Sequence, residues 1–307
     1  MPKAMLNSGI ELEYETLGSP SDPVLLLVQG LGTQLIAWDD ALCELLVAGG
    51  LFVIRFDNRD CGLSTTFDAA EVDLAAVMTA AMARQPMPPV PYTLSDMAAD
   101  AVGLLDHLGI DRAHVLGASM GGMIAQTIAV EHPHRVASLI SIMSMTGELE
   151  HGEPTQEALA VLFTPPPTDR EGCIAAARSM AVWSSRRWFD LARAEDHAAR
   201  AYDRRYYPQG VARQLTAIYA SGSRAEQLAE VDTPTLVIHG LDDQLITPAG
   251  GRRTAELIPN ATLLMVADMG HDLPPPLWPF LTGAILGFTR TVIDAAAARA
   301  PARAGAS

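Results

Sequence analysis

The chain has 307 residues (32.7 kDa), 49% apolar and 19% charged, enough for one large α/β domain with an insertion and too apolar for wholesale disorder. A net charge of −15 and a pI near 4.8 set it against phosphate backbones and anionic membranes. Lys3 is the only lysine, which excludes Schiff-base, P-loop and kinase-type chemistry, and the scattered Cys43, Cys61 and Cys173 argue against a disulfide framework or zinc site.

The first residues alternate polar and apolar, with no secretory apolar region, so a cytoplasmic location is expected. Residues 10–17 (Ile10, Leu12, Tyr14) read as a half-buried strand, and Gly18–Pro23 as a turn. Val24–Val28 is a continuous apolar run, as a strand buried on both faces should be. A helical pattern over 36–48 stops at Gly49-Gly50, and Leu51–Phe56 is the next strand. Thr93 to Asp96 has the spacing of a capping box. The helix it opens repeats Leu94, Met97, Ala98, Ala101, Leu104, Leu105 and Leu108 and ends at Gly109. Ala113–Gly117, Val136–Met143, Thr235–His239 and Thr262–Val266 complete the strands, and a helix runs to about Glu131. No apolar run approaches the roughly 20 residues of a membrane span. Alternating strands and helices predict a mostly parallel sheet covered on both faces.

Two stretches break the alternation. Residues 67–91 are rich in Met, Ala and Pro. Residues 147–228 are helical in pattern, and within 183–219 lie seven of the 17 aromatics, Trp183 and Trp188 among them. The expected division is a core of 1–146 and 229–294, a helical cap over a pocket at 147–228, and a disordered, alanine-rich tail at 295–307. A helical pair with its own small core is the plainer reading of 183–219.

Gly117-Ala118-Ser119-Met120-Gly121 follows a strand and opens a helix. G-x-S-x-G in that context is a nucleophile elbow: a strained turn exposes the Ser119 hydroxyl, and nothing bulky fits two residues to either side. A serine hydroxyl needs a base. Of eight histidines, His271 lies on a loop just after the last strand, where a strand's carboxyl end would present it; His239 ends a strand and is expected to be packed. An acid must orient that base, and Asp242 and Asp243 both follow the strand ending at His239. The order Ser, Asp, His follows. Asp57-Asn58-Arg59-Asp60 is read as structural, Arg59 and its aspartates tying down a loop below the site. No cluster has metal-ligand spacing, so no metal is expected.

Five motifs in order carry a resemblance over about 10–290: Gln29-Gly30-Leu31-Gly32, Phe56 to Ser64, the elbow, Gly240 to Asp243, and Gly270-His271. On these the chain resembles the α/β-hydrolase fold enzymes. The wording around Trp38, Val53–Asp60 and Ser119-Met120-Gly121 is similar to the serine esterases grouped with the aclacinomycin methylesterase. The resemblance implies an α/β-hydrolase fold with a helical cap insertion, and Asp243 as the acid. It also implies an oxyanion hole from the backbone N–H groups of Met120 and Leu31, with Gln29 where many relatives carry His. Gln29, Gly30, Trp183 and Trp188 are the expected substrate-binding residues, and the Met-rich 67–91 segment is expected to help shape an apolar acyl pocket.

The function expected is cofactor-independent hydrolysis of small to medium apolar carboxylic esters through an acyl-enzyme. The partner expected is a small-molecule ester, with neither nucleic acid nor membrane, and a homodimer is the assembly to test. Acyl transfer or perhydrolysis, C–C cleavage or lyase chemistry on the same fold, and a non-hydrolytic ligand receptor, are the alternatives.

Overall fold

A computed structural model describes residues 2–299. Its strands are β1 (Lys3–Met5), β2 (Glu11–Leu17), β3 (Val24–Val28), β4 (Phe52–Phe56), β5 (Ala113–Ala118), β6 (Val136–Ile142), β7 (Thr235–Gly240) and β8 (Thr262–Val266). They form one sheet in the order β1-β2-β4-β3-β5-β6-β7-β8, antiparallel at β1–β2–β4 and parallel from β4 to β8. The helices are α1 (Asp40–Ala48), α2 (Leu74–Met82), α3 (Leu94–His107), α4 (Met120–Glu131), α5 (Gln156–Leu162), α6 (Arg170–Ala176), α7 (Leu191–Arg205), α8 (Gln209–Ser221), α9 (Ala225–Leu228), α10 (Pro248–Leu257) and α11 (Trp278–Arg299).

The sheet is buried on both faces because its parallel strands are apolar at successive positions. Successive strand side chains point to opposite faces. Leu26, Val28, Val115 and Leu139 therefore join one core with α3 and α4, while Leu25, Leu27, Leu116 and Ile140 join a second with α1 and α11. The expected mostly parallel sheet with helices on both faces is what forms. The capping box at Thr93 closes as the spacing predicts, with Thr93 N–H donating to Asp96 Oδ2 at 2.8 Å, and Gly109 takes a left-handed φ of 67°.

The 67–91 stretch, which breaks the alternation, contains a helix: Asp73 caps α2, with Ala76 N–H donating to its Oδ1 at 2.9 Å. Two expectations need correction. The alanine-rich end does not fray at 295: α11 continues through Arg299, as good helix formers allow, and residues 300–307 of the expected disordered tail lie outside the described residues. Residues 275–298 also form a helical stretch long and apolar enough to cross a membrane, which a search for unbroken runs misses because Thr and Gly interrupt it. In the fold, Trp278, Leu281 and Ile285 of that stretch pack into the second core.

Between β6 and β7 the chain makes α5 to α9. This segment adds Ala217 and Leu228 to the first core and also meets the rest of the molecule through polar groups. Arg204 on α7 reaches Asp57 (Nη1–Oδ2, 2.7 Å), and Arg213 on α8 grips Asp60 with two bonds of 2.8 and 2.9 Å. Gln214 donates to Arg59 O and accepts from Gly32 N–H, both at 2.8 Å.

Candidate active site

The parallel strands β5 and β7 and the loop after β8 end on one side of the sheet. There Ser119, Asp243 and His271 meet. Ser119 stands between β5 and α4 at φ 57°, ψ −123°. Two glycines make that turn feasible. A Cβ on Gly117 would sit 1.9 Å from Gly121 O, and one on Gly121 would sit 2.1 Å from Val28 O. The turn is further tied by Ser119 N–H to Ile142 O at 3.0 Å, and by Ser144 Oγ–H donating to Ser119 O at 2.8 Å.

Ser119 Oγ lies 2.9 Å from His271 Nε2, and His271 Nδ1 lies 2.7 Å from Asp243 Oδ2. With the carboxylate as acceptor, Nδ1 carries the proton and Nε2 is the acceptor for the Ser119 hydroxyl. Burial alone would raise the Asp243 carboxyl. The charge of His271, and hydrogen bonds from His239 and His271, pull it below the usual carboxylate range instead. Its second oxygen accepts from Leu245 N–H and Ile246 N–H at 2.9 and 3.0 Å, so the acid is held from several sides. Asp242 is the turn residue, with its N–H on Met269 O.

His239, expected to be packed, is fully buried and does more than fill space. Its Nε2 lies 2.8 Å from Ile246 O and 3.4 Å from Asp243 Oδ2, so Nε2 carries the proton and steadies the acid. Only the i, i+4 offset from Asp243 hinted at this contact. Ser185 is a second residue without a sequence signal. Its N–H donates to Asp272 Oδ1 (2.9 Å), its hydroxyl donates to Asp268 O (2.6 Å), and its oxygen accepts from Trp188 N–H (2.9 Å). His271 N–H donates to Trp183 O at 2.6 Å. The loop that carries the histidine is thus fastened to the segment between β6 and β7.

Beside Ser119 runs the loop 29–35. A Cβ on Gly30 would lie 3.3 Å from Ser119 Cβ. Gln29 folds back so that its Oε1 accepts from Gly30 N–H at 2.8 Å, and Gly32 N–H is taken by Gln214. Among the described residues nothing accepts from the Leu31 or Met120 N–H, and Met120 begins α4, where an N–H has no helical acceptor. Neither expected oxyanion donor is taken up by the protein, and Leu31 lines the same cavity as Ser119.

The Asp57–Asp60 motif supports this loop, though not as expected. Arg59 pairs with neither neighbouring aspartate. It makes two bonds, 2.6 and 2.8 Å, to Asp100 on α3. Asp57 Oδ1 instead accepts from Leu35 N–H at 2.7 Å, and Asn58 Nδ2 donates to Gln29 O at 2.9 Å, so the motif clasps the loop at both ends.

A cavity of about 420 Å3 opens over Ser119 and His271. Gln29, Gly30, Trp183 and Trp188 all line it. So do Trp38 and Trp278, which makes all four tryptophans of the chain cavity residues. Phe189 is a further wall, but Tyr202, Tyr206, Tyr207 and Tyr219 are not. The aromatic load of 183–219 divides, with Tyr202 and Tyr206 stacked on each other at 5.0 Å. The 67–91 segment contributes nothing to this cavity; α2 turns Val77 and Ala80 inward elsewhere and leaves Met82 exposed. Among the described residues no group of three or more His, Cys, Asp or Glu is placed to hold a metal.

Comparison with known proteins shows the fold family. The sequence model described as alpha/beta hydrolase fold matches residues 23–274. The chain is 30% identical to rhodomycin D methylesterase DnrP of Streptomyces peucetius, over 94% of this chain and 99% of that protein. It is 28% identical to 3-oxoadipate enol-lactonase 2 of Acinetobacter baylyi, over 83% of this chain and 84% of that one. Among solved structures, the enol-lactonase from Burkholderia xenovorans LB400 superposes with a TM-score of 0.70 at 25% identity, covering 94% of this chain and all of the other (100%).

Proposed function

The chain belongs to the α/β-hydrolase fold family, and from that premise we propose that it is a serine carboxylic-ester hydrolase acting through Ser119, His271 and Asp243. One observation carries the reading: a strained serine whose Oγ lies 2.9 Å from His271 Nε2, with Nδ1 2.7 Å from a buried carboxylate. His271 Nε2 takes the hydroxyl proton as Oγ attacks the ester carbonyl carbon. The carbonyl oxygen becomes negative and receives the Leu31 and Met120 N–H groups. As the intermediate collapses, the C–O bond to the alcohol breaks and His271 returns the proton to the leaving oxygen. Water, deprotonated by the same nitrogen, then releases the acid from Ser119. Asp243 stays ionised and stabilises the imidazolium at each stage. No step needs a cofactor.

The cavity supports esters of small to medium apolar acids, with aromatic walls from the four tryptophans. The helices between β6 and β7 act as a cap, contributing Trp183 and Trp188 to that wall. Methyl esters are the first class to assay, because the methylesterase relative spans nearly the whole chain.

The test is turnover of a p-nitrophenyl ester series from acetate to palmitate, and of aromatic methyl esters, by the wild type and Ser119→Ala. Loss of about 10⁴-fold or more in kcat with an unchanged circular dichroism spectrum is expected, as for removal of a triad nucleophile. Turnover by Ser119→Ala equal to wild type would overturn the assignment.

A further inference from the structure

Buried charges in proteins are paired, and burial of an unpaired one is costly. Arg224, three residues past the end of α8, is only 6% exposed, yet no carboxylate pairs with it among the described residues. Its guanidinium donates to Gln126 Oε1 (3.2 Å), Gly222 O (3.4 Å) and Met145 O (2.9 Å), all neutral acceptors. A guanidinium has five N–H donors, so two remain. Burial, unopposed by any nearby acid, pulls this group down to about 10.

Arg224 lines a second cavity of about 200 Å3, which shares no residue with the one over Ser119. The rest of the wall supplies donors. The 14-residue α3 begins there with Thr93, Leu94 and Ser95, bringing the positive end of its dipole. Ser95 N–H, the second of that helix, has no helical acceptor. Ser223 Oγ accepts from Ala225 N–H at 3.1 Å, leaving its hydrogen to give. Other groups are occupied: Ser221 bridges Leu94 N–H and Ala217 O, and Thr127 donates to Met123 O. Glu131 is the one acid on the wall; it is exposed at the rim and takes the Ser95 hydroxyl at 2.5 Å.

We propose that this cavity binds a small oxyanion of the phosphate class, held by the unpaired charge of Arg224 and by donors from Ser223 and the start of α3. Arg224 also holds Gln126 in the middle of α4 and Met145 O, so a bound anion braces the helix that starts just after Ser119. The proposal does not rest on ester hydrolysis, and its readout is independent of turnover.

The experiment is thermal unfolding in inorganic phosphate, and separately in acetate, at ionic strength held constant with NaCl. The wild type and Ser119→Ala should both gain about 2 °C or more at 50 mM phosphate and nothing in acetate. Arg224→Met, which fills similar volume without charge, should fold with a lower melting temperature, since Gln126, Gly222 O and Met145 O lose a donor, and show no phosphate shift relative to its own phosphate-free baseline. Ser223→Ala, a milder change, should keep only part of the shift. An equal phosphate shift in wild type and Arg224→Met, an equal shift in acetate, or no shift in wild type would each overturn the proposal.

Discussion

The parallel sheet and the helices between β6 and β7 are positioned by different physics. Leu25, Leu26, Leu27 and Val115 are fully buried, and the sheet's order comes from apolar area removed from water. In the inserted segment, α8 and α9 add Ala217 and Leu228 to the first core, but α7 buries none of its 15 residues, and directional contacts fix how the segment sits on the loops below it: Arg204 on Asp57, Arg213 on Asp60, Gln214 on Gly32 and Arg59, Gln34 on Ala201 O. Hydrophobic burial is non-directional and tolerates adjustment. A buried guanidinium–carboxylate pair does not, because either partner left alone is an uncompensated charge. Those polar contacts land on residues 29–35, which border Ser119, and on 57–60, which clasp that loop. Errors in the sheet should therefore cost stability, and errors in the polar attachments should cost both stability and turnover.

The largest expected effect is at Arg213. Arg213→Ala leaves the Asp60 carboxylate buried with Tyr92 and Phe67 N–H as its remaining donors, and should cost about 3–5 kcal/mol in urea unfolding. The same variant should lower ester kcat/KM. Leu26→Ala removes a fully buried side chain from the first core and should cost about 3 kcal/mol, with kcat/KM per folded molecule unchanged. A drop in kcat/KM for Leu26→Ala, or none for Arg213→Ala, would break the comparison.

His114 offers a smaller, pH-dependent test on the sheet side. Burial, helped by Arg112, lowers this imidazole to about 4 from 6.5, while its Nδ1 lies 2.7 Å from Ser138 Oγ. The folded chain thus resists a proton that the unfolded chain accepts. Stability is complete above pH 6.5 and falls as pH drops toward 4, by about 2 kcal/mol between pH 7 and pH 5. His114→Gln should flatten that part of the stability–pH curve; an unchanged slope would refute the assignment. Smallest of all is Arg170→Ala, which breaks the exposed pair with Asp203 between α6 and α7. No measurable change in melting is expected there, in contrast to the buried pair at Arg213.

What could be read from the sequence follows the same division. The strands, the elbow at Ser119 and the Ser–Asp–His order are local patterns, written in consecutive residues or fixed spacings. The partners of buried polar groups are not. Arg59 finds Asp100 across 41 positions and Arg213 finds Asp60 across 153, with no periodicity to betray either. Hence the Asp57–Asp60 motif reads as structural while its partners do not, Ser185 carries no signal of its contacts around the catalytic loop, and His239 carries only its i, i+4 offset from Asp243. Helix α2 escaped because its apolar side is short, only Val77 and Ala80 being buried.

The clustering of all four tryptophans around one cavity has an optical consequence. Excited at 295 nm, where tyrosine hardly absorbs, the whole protein reports in ultraviolet emission only from the walls of that chamber. Occupancy by an unlabelled compound can then be followed as a change in brightness or colour, with no dye attached and no reaction required.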